Sequence, residues 1–161
     1  MHIRKKTLLI GAAAALAAAA IGEGAVMATT PRSSRIAQRI HLVERVTGGG
    51  FVDTGRKGLS VGDEQIGRSD VLDRNGRVVG RLDGVCTITG VGKDLGGVCN
   101  GVLTLEEGQL AGAFAWGRSG SSHRQAIVGG TGRYAGARGQ FLVDTNGTDK
   151  HEDFTVELYA R

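Results

Sequence analysis

A glycine-rich motif follows a short apolar run late in the 161-residue sequence. The spacing Gly130-x-Gly132-x-x-Ala135 matches the fingerprint in which a strand, a glycine turn and a helix N-terminus hold a dinucleotide pyrophosphate. Only 32 residues follow Gly129, too few for the rest of a doubly wound domain, and no acidic residue ends a second strand about 20 residues later. We therefore interpret the motif as a strand, a compact turn with positive φ angles, and a second strand.

The other chemically reactive side chains form no recognisable catalytic arrangement. His41, His123 and His151 lack the spacing of metal ligands, so we predict no metal site. Ser119 lies in a glycine-containing loop without a nearby base, which argues against a nucleophile elbow. The sequence therefore gives no support to a metalloenzyme or to a serine hydrolase.

Residues 1–28 have the features of a cleavable signal peptide. Three basic residues precede the apolar, alanine-rich segment Thr7–Ile21, and small or aliphatic residues lead to a cleavage site after Ala28. The alternative is a retained membrane anchor, but Glu23 interrupts the apolar run, which is shorter than the roughly 20 residues that span a bilayer. We predict a secreted or extracytoplasmic protein with no stable membrane anchor after cleavage.

Charge and glycine content narrow the class of the mature protein. Residues 1–28 contain three of the 20 basic and one of the 16 acidic residues, so cleavage lowers the net charge from +4 to +2. No basic cluster alternates with aromatic residues, which argues against nucleic-acid binding. Glycine occurs 28 times and proline once, a balance that favours tightly turned, strongly curved antiparallel sheet.

Two cysteines, Cys86 and Cys99, lie in the predicted mature domain. An even number of cysteines in an exported chain suggests a disulfide. The twelve residues between them suffice for two facing strands and a glycine-rich turn. The alternative is a pair of buried thiols.

Alternating apolar residues and turn signals predict one all-β domain at residues 36–161, after a flexible leader at residues 29–35. We expect Gly48–Gly50 to belong to a flexible connection, and Asn75-Gly76 to form a hairpin turn. The short, even spacing of the strands predicts a small eight-stranded antiparallel β-barrel. The predicted strands are Ile36–Thr47, Leu59–Asp73, Arg77–Val91, Val98–Leu105, Gln109–Gly117, Ala126–Val128, Phe141–Thr145 and Phe154–Tyr159.

Four segments together resemble the signatures of dirigent proteins and the allene oxide cyclase barrel family. The long one runs from Ala126 to Gly139, where relatives have "AVVGGTG", an aromatic-containing turn and "ARG". Gly80–Gly84 and Glu107–Gly112 match shorter signatures, and Asp70-Val71-Leu72 resembles the "DPLT" of plant dirigents. The resemblance covers roughly Gly62–Leu158. It implies an eight-stranded antiparallel barrel, often a homotrimer, that needs neither a metal nor an organic cofactor.

The resemblance also implies a function and a site. Members steer ring closure or coupling of a reactive, mostly apolar small molecule, which corresponds to an isomerase-type cyclase. The aspartate near position 70 and the arginine of "ARG" line the pocket in relatives, which assigns catalytic roles to Asp70 and Arg138. A further acidic residue of relatives is replaced by His123-Arg124-Gln125. We expect Tyr134, Trp116 and Phe114 to line the ligand pocket.

Each assignment has a structural alternative. Asp70 would instead cap a turn, Arg138 would form an ion pair, Tyr134 would plug the glycine turn, and Phe114 and Trp116 would belong to the core. At the level of the whole protein, whether the chain is an enzyme stays open. A non-catalytic exported barrel that binds a small hydrophobic ligand is the main alternative. A structural protein whose subunits contact through an all-alanine strand face (Ala111, Ala113, Ala115) is a further one.

Overall fold

The computed structural model describes residues 35–117, 124–148 and 151–160. These form a closed barrel of eight strands in which each strand pairs antiparallel with its sequence neighbours and β1 pairs with β8. The predicted all-β barrel is thereby confirmed, while the predicted signal peptide and nearly all of the leader lie outside the described residues. The strands are β1 (Ile36–Val52), β2 (Glu64–Leu72), β3 (Val78–Gly90), β4 (Gly96–Leu105), β5 (Gly108–Gly117), β6 (Arg124–Gly130), β7 (Gly139–Thr148) and β8 (His151–Tyr159).

Strand β1 is longer than the sequence predicted. The glycines Gly48–Gly50 lie inside the strand, where they pair with β2, and the expectation of a flexible connection there was wrong. A register shift between Val46 and Gly48 marks a bulge at this point. Since the pairing with β8 ends at Arg45, the last seven residues of β1 pair with β2 alone.

Alternation along the strands separates an inner from an outer face. On β5 the large residues Leu110 and Phe114 face inward and the alanines face outward, as a period of two residues requires. A core of nine buried residues fills one end of the barrel. Its members are Leu42, Val71, Leu103, Leu110, Ile127, Tyr134, Phe141, Phe154 and Val156.

The glycine signature closes the same end of the barrel. A 3₁₀ turn at Gly132–Tyr134 follows β6 and packs on the turn between β4 and β5, where the Arg133 amide donates to the Glu107 carbonyl oxygen and the two side chains form an ion pair. Gly132 has φ +58°, and a Cβ there would lie 2.4 Å from the Glu107 carbonyl oxygen. The glycines of this motif therefore allow close backbone contact.

The loop between β1 and β2 is organised around one buried carboxylate. Asp63 accepts hydrogen bonds from the backbone amides of Thr54 and Ser60 and from the Ser60 hydroxyl, at 2.6–3.1 Å. Burial acts to raise the pKa of Asp63, but these hydrogen bonds outweigh it and the pKa lies below its usual value. Asp63 thus has the turn-stabilising role that its position next to Gly62 suggests.

No helix in the described part of the chain is long and apolar enough to cross a membrane.

Candidate functional site

A cavity of about 280 Å³ lies inside the barrel at the end opposite the glycine signature. Its lining comes from all eight strands, mostly from the starts of β2, β4, β6 and β8 and the ends of β3 and β5, which meet at one end of an antiparallel barrel. Phe141 and Phe154 belong both to the core and to the cavity, so they form its floor. The other apolar residues in the lining include Leu82, Val85, Phe114 and Val143. The cavity is therefore a mainly apolar pocket of the size that suits one small molecule.

The predicted disulfide is present and faces this cavity. Cys86 of β3 and Cys99 of β4 are directly opposite in the register and are covalently joined, and both line the cavity. Cys99 is buried. The bond therefore ties two neighbouring strands together at the wall of the pocket, which excludes the alternative of two buried thiols in this structure.

Two glutamates are the ionisable side chains in the described lining of the cavity. Glu44 on β1 and Glu152 on β8 are directly opposite each other, and both line the pocket. The hydroxyl of buried Ser69 donates a hydrogen bond to Glu44 Oε1 at 2.6 Å. Because this contact fixes one carboxylate, the pair has a defined position on the cavity wall.

The local environment disfavours the charged form of Glu152. The side chain is exposed at the rim, yet partial desolvation of its carboxylate raises its pKa, and the neighbouring negative charge of Glu44 raises it further. A carboxylic acid with a raised pKa keeps its proton to higher pH and can donate it in a hydrogen bond. The cavity thus combines a potential proton donor with a carboxylate that already accepts a hydrogen bond.

The two residues expected to be catalytic lie elsewhere. Asp70 is on the outer face of β2, between inward-facing Ser69 and Val71, and its carboxylate accepts a 2.7 Å hydrogen bond from Arg45 in an ion pair. Arg138 is exposed in the segment before β7. Neither side chain lines the cavity. A chemical role for these two residues stays a prediction, and the geometry does not bring them together.

Of the three predicted pocket residues, one lines the cavity, one belongs to the core and one belongs to neither. Phe114 lines the cavity. Tyr134 is buried in the core at the closed end, where desolvation raises the pKa of its phenol, in line with the plug that we considered as the alternative. Trp116 lies on the same strand face as Phe114 but beyond the cavity lining, and its indole ring packs against Gly97 of β4.

Sequence reasoning did not select Glu44, Glu152 or Ser69. Each of them occurs in an ordinary alternating strand, and Glu44 is separated from Glu152 by most of the domain. The replacement of the relatives' acidic residue by His123-Arg124-Gln125 was the available signal. Gln125 does line the cavity, and acidic groups enter the same cavity from β1 and β8 instead. In the described residues no group of three or more His, Cys, Asp or Glu side chains is placed to bind a metal ion.

Comparison with models of protein families identifies the family of this chain. The model of the allene oxide cyclase barrel-like domain matches residues 44–158. The chain belongs to the allene oxide cyclase barrel-like family. The match begins at Glu44 and ends within β8, so it includes both glutamates of the cavity.

Solved structures share the barrel of this family member. A pyocyanin demethylase superposes with a TM-score of 0.61 at 26% identity and covers 75% of this chain and 99% of its own. A Diels–Alderase from Streptomyces koyangensis has a TM-score of 0.60 at 20% identity, with 74% and 63% covered. An exo-specific intermolecular Diels–Alderase has a TM-score of 0.59 at 16% identity, with 76% and 98% covered. A search of curated proteins found no match.

Proposed function

We propose that this family member binds a small, mostly apolar molecule in its barrel and steers the ring closure or coupling of that molecule. The observation that carries the proposal is the cavity itself, which combines an aromatic floor with the Glu44–Glu152 pair at one side. The shared barrel of two Diels–Alderases and a demethylase supports an enzymatic role for such a cavity.

Steering of ring closure needs a defined shape and few polar groups. The apolar walls hold a flexible molecule in a conformation close to that of the reaction, which lowers the entropic part of the barrier. Glu152 in its protonated form donates a hydrogen bond to a substrate oxygen on which negative charge develops. Glu44, held by Ser69, accepts a proton or a donor group of the substrate.

The test compares conversion of metabolites from the native host by the purified protein and by matched variants. We expect Glu152→Gln and Glu44→Gln to lower turnover by at least about tenfold, which corresponds to one lost polar contact to the transition state. Glu106→Gln, on an exposed turn outside the cavity, should retain full turnover. A molecule that binds the wild type and leaves unchanged would instead make the protein a carrier. Full activity of both cavity variants would refute the proposed mechanism.

We also propose export and self-association. A disulfide is consistent with an extracytoplasmic location, because disulfides persist in oxidising compartments. Exposed valines lie near the outward-facing alanines of β5. They are Val98, Val102 and Val128, with 37–64% of each side chain exposed. This outer face supports a contact between copies of the chain, and the family resemblance favours a homotrimer. Sedimentation equilibrium of the mature protein at micromolar concentration tests the proposal, and a monomer would contradict it.

A further inference from the structure

A row of glycines crosses the inner wall of the barrel. Gly49, Gly67, Gly84, Gly101 and Gly112 are directly opposite one another in the register of five consecutive strands, β1 to β5. The last four of them line the cavity. Because directly opposite residues share a face of the sheet, this part of the cavity wall consists of backbone without side chains.

Packing explains Gly49 and Gly112 but not Gly67 and Gly101. It restricts Gly84 in part, because a Cβ there would lie 3.3 Å from the Asn100 carbonyl oxygen. A Cβ at Gly112 would lie 2.6 Å from the Phe141 ring, and one at Gly49 would lie 2.3 Å from a backbone carbonyl oxygen. In contrast, a Cβ at Gly67 would have no atom within 4 Å, and one at Gly101 would make only ordinary contacts of 3.5 and 3.7 Å. Neither Gly67 nor Gly101 has a positive φ angle. Steric demand and backbone conformation therefore leave these glycines unexplained.

Aromatic side chains form the floor of the cavity. Phe141 and Phe154 extend from β7 and β8, with ring centroids 6.4 Å apart and planes inclined by 59°. Strands β7 and β8 lie across the barrel from β3 and β4 in the order of the closed sheet. The cavity thus has a strip of bare backbone on one side, bordered by side chains such as Leu82 and the Cys86–Cys99 disulfide, and aromatic rings at its floor, where Phe141 packs against Gly112.

We propose that the cavity accepts a flat, conjugated ring system that lies against the glycine row, and that Gly67, Gly84 and Gly101 determine this preference. A flat molecule makes close dispersion contacts with the backbone strip, from which no side chain projects. Its edge contacts the Phe141 and Phe154 rings at the floor of the cavity. A puckered molecule of the same skeleton is thicker and makes fewer contacts with the strip. This inference rests on the proposed function and specifies its substrate class.

The experiment uses calorimetric titration with two matched pairs of uncharged probes. The flat probes are 2-naphthol and 2-acetylnaphthalene, and the thick probes are their decahydro derivatives. We expect the wild type to bind the flat probes at least about tenfold more tightly. Gly67→Ala and Gly101→Ala should each reduce that preference at least about fivefold while the melting temperature is maintained, because the added methyl group enters the cavity and not the protein interior.

Gly129→Ala is the matched control. Gly129 is also a strand glycine with open space at its Cβ position, but it does not line the cavity. Equal binding of flat and thick probes by the wild type would overturn the inference and leave the proposed function standing. Unchanged preference in both cavity variants would also overturn it and would assign the glycines to barrel curvature. A wild type that binds none of the four probes would contradict the proposed function itself.

Discussion

Removal of the disulfide provides a quantitative test of how the barrel is stabilised. Cys86 and Cys99 close a loop with a sequence separation of 13 residues. In the chain-entropy model a loop of this size lowers the free energy of the folded relative to the unfolded chain by about 3 kcal/mol. For a domain of this length, removing this stabilisation lowers the melting temperature by roughly 10 °C.

The assay compares urea and thermal unfolding of the wild type and of the Cys86→Ala/Cys99→Ala double variant. Because the bond mainly restricts the unfolded chain, the double variant should also show a larger m value, as its unfolded state exposes more surface. Each single variant should match the double variant closely, since either one removes the bond. Melting temperatures within about 2 °C of the wild type, which would correspond to less than 1 kcal/mol, would refute the entropic reasoning.

Three further predictions concern the core, a close backbone contact and the acid pair. Leu103→Ala should lower the free energy of unfolding by about 3 kcal/mol in urea titrations, because the side chain is completely buried in the core. Gly139→Ala should destabilise the barrel strongly in thermal melts, since a Cβ there would lie 1.8 Å from the Glu157 carbonyl oxygen. Because the pKa of Glu152 beside Glu44 is raised, its carboxyl group binds a proton more tightly in the folded protein than in the unfolded chain. Its contribution to stability is therefore present below the usual glutamate pKa and is lost as pH rises through the raised value, so Glu152→Gln should flatten the urea stability profile over that interval.

The controls for these predictions come from the same chain. Val78→Ala, at an exposed position, should change the free energy of unfolding by less than about 0.5 kcal/mol, and a similar small effect of Leu103→Ala would contradict the assigned core. Gly129→Ala should have a melting temperature close to that of the wild type. A wild-type melting temperature for Gly139→Ala would contradict the close contact with β8. A Glu152→Gln profile parallel to that of the wild type would contradict the raised pKa.

Local sequence patterns predicted most of the architecture. Alternation placed Leu110 and Phe114 on the inner face of β5 and the alanines outside, and turn signals such as Asn75-Gly76 lie where chain reversals occur. Such features depend on neighbouring residues, so they are visible without the fold. The glycines Gly48–Gly50 were the exception, because pairing with β2 outweighs the weak strand preference of glycine.

Local patterns suffice to predict the barrel, its hairpin turns and two cysteines that can pair. Which side chains share the cavity follows from the pairing of distant strands. The face that Asp70 occupies depends on the register of β2, and a shift of one residue would exchange it with Ser69. Glu44 meets Glu152 only because β8 closes the barrel onto β1, and the glycine row exists only in the register of five strands. Long-range pairing sets both arrangements, and local propensity carries no information about it.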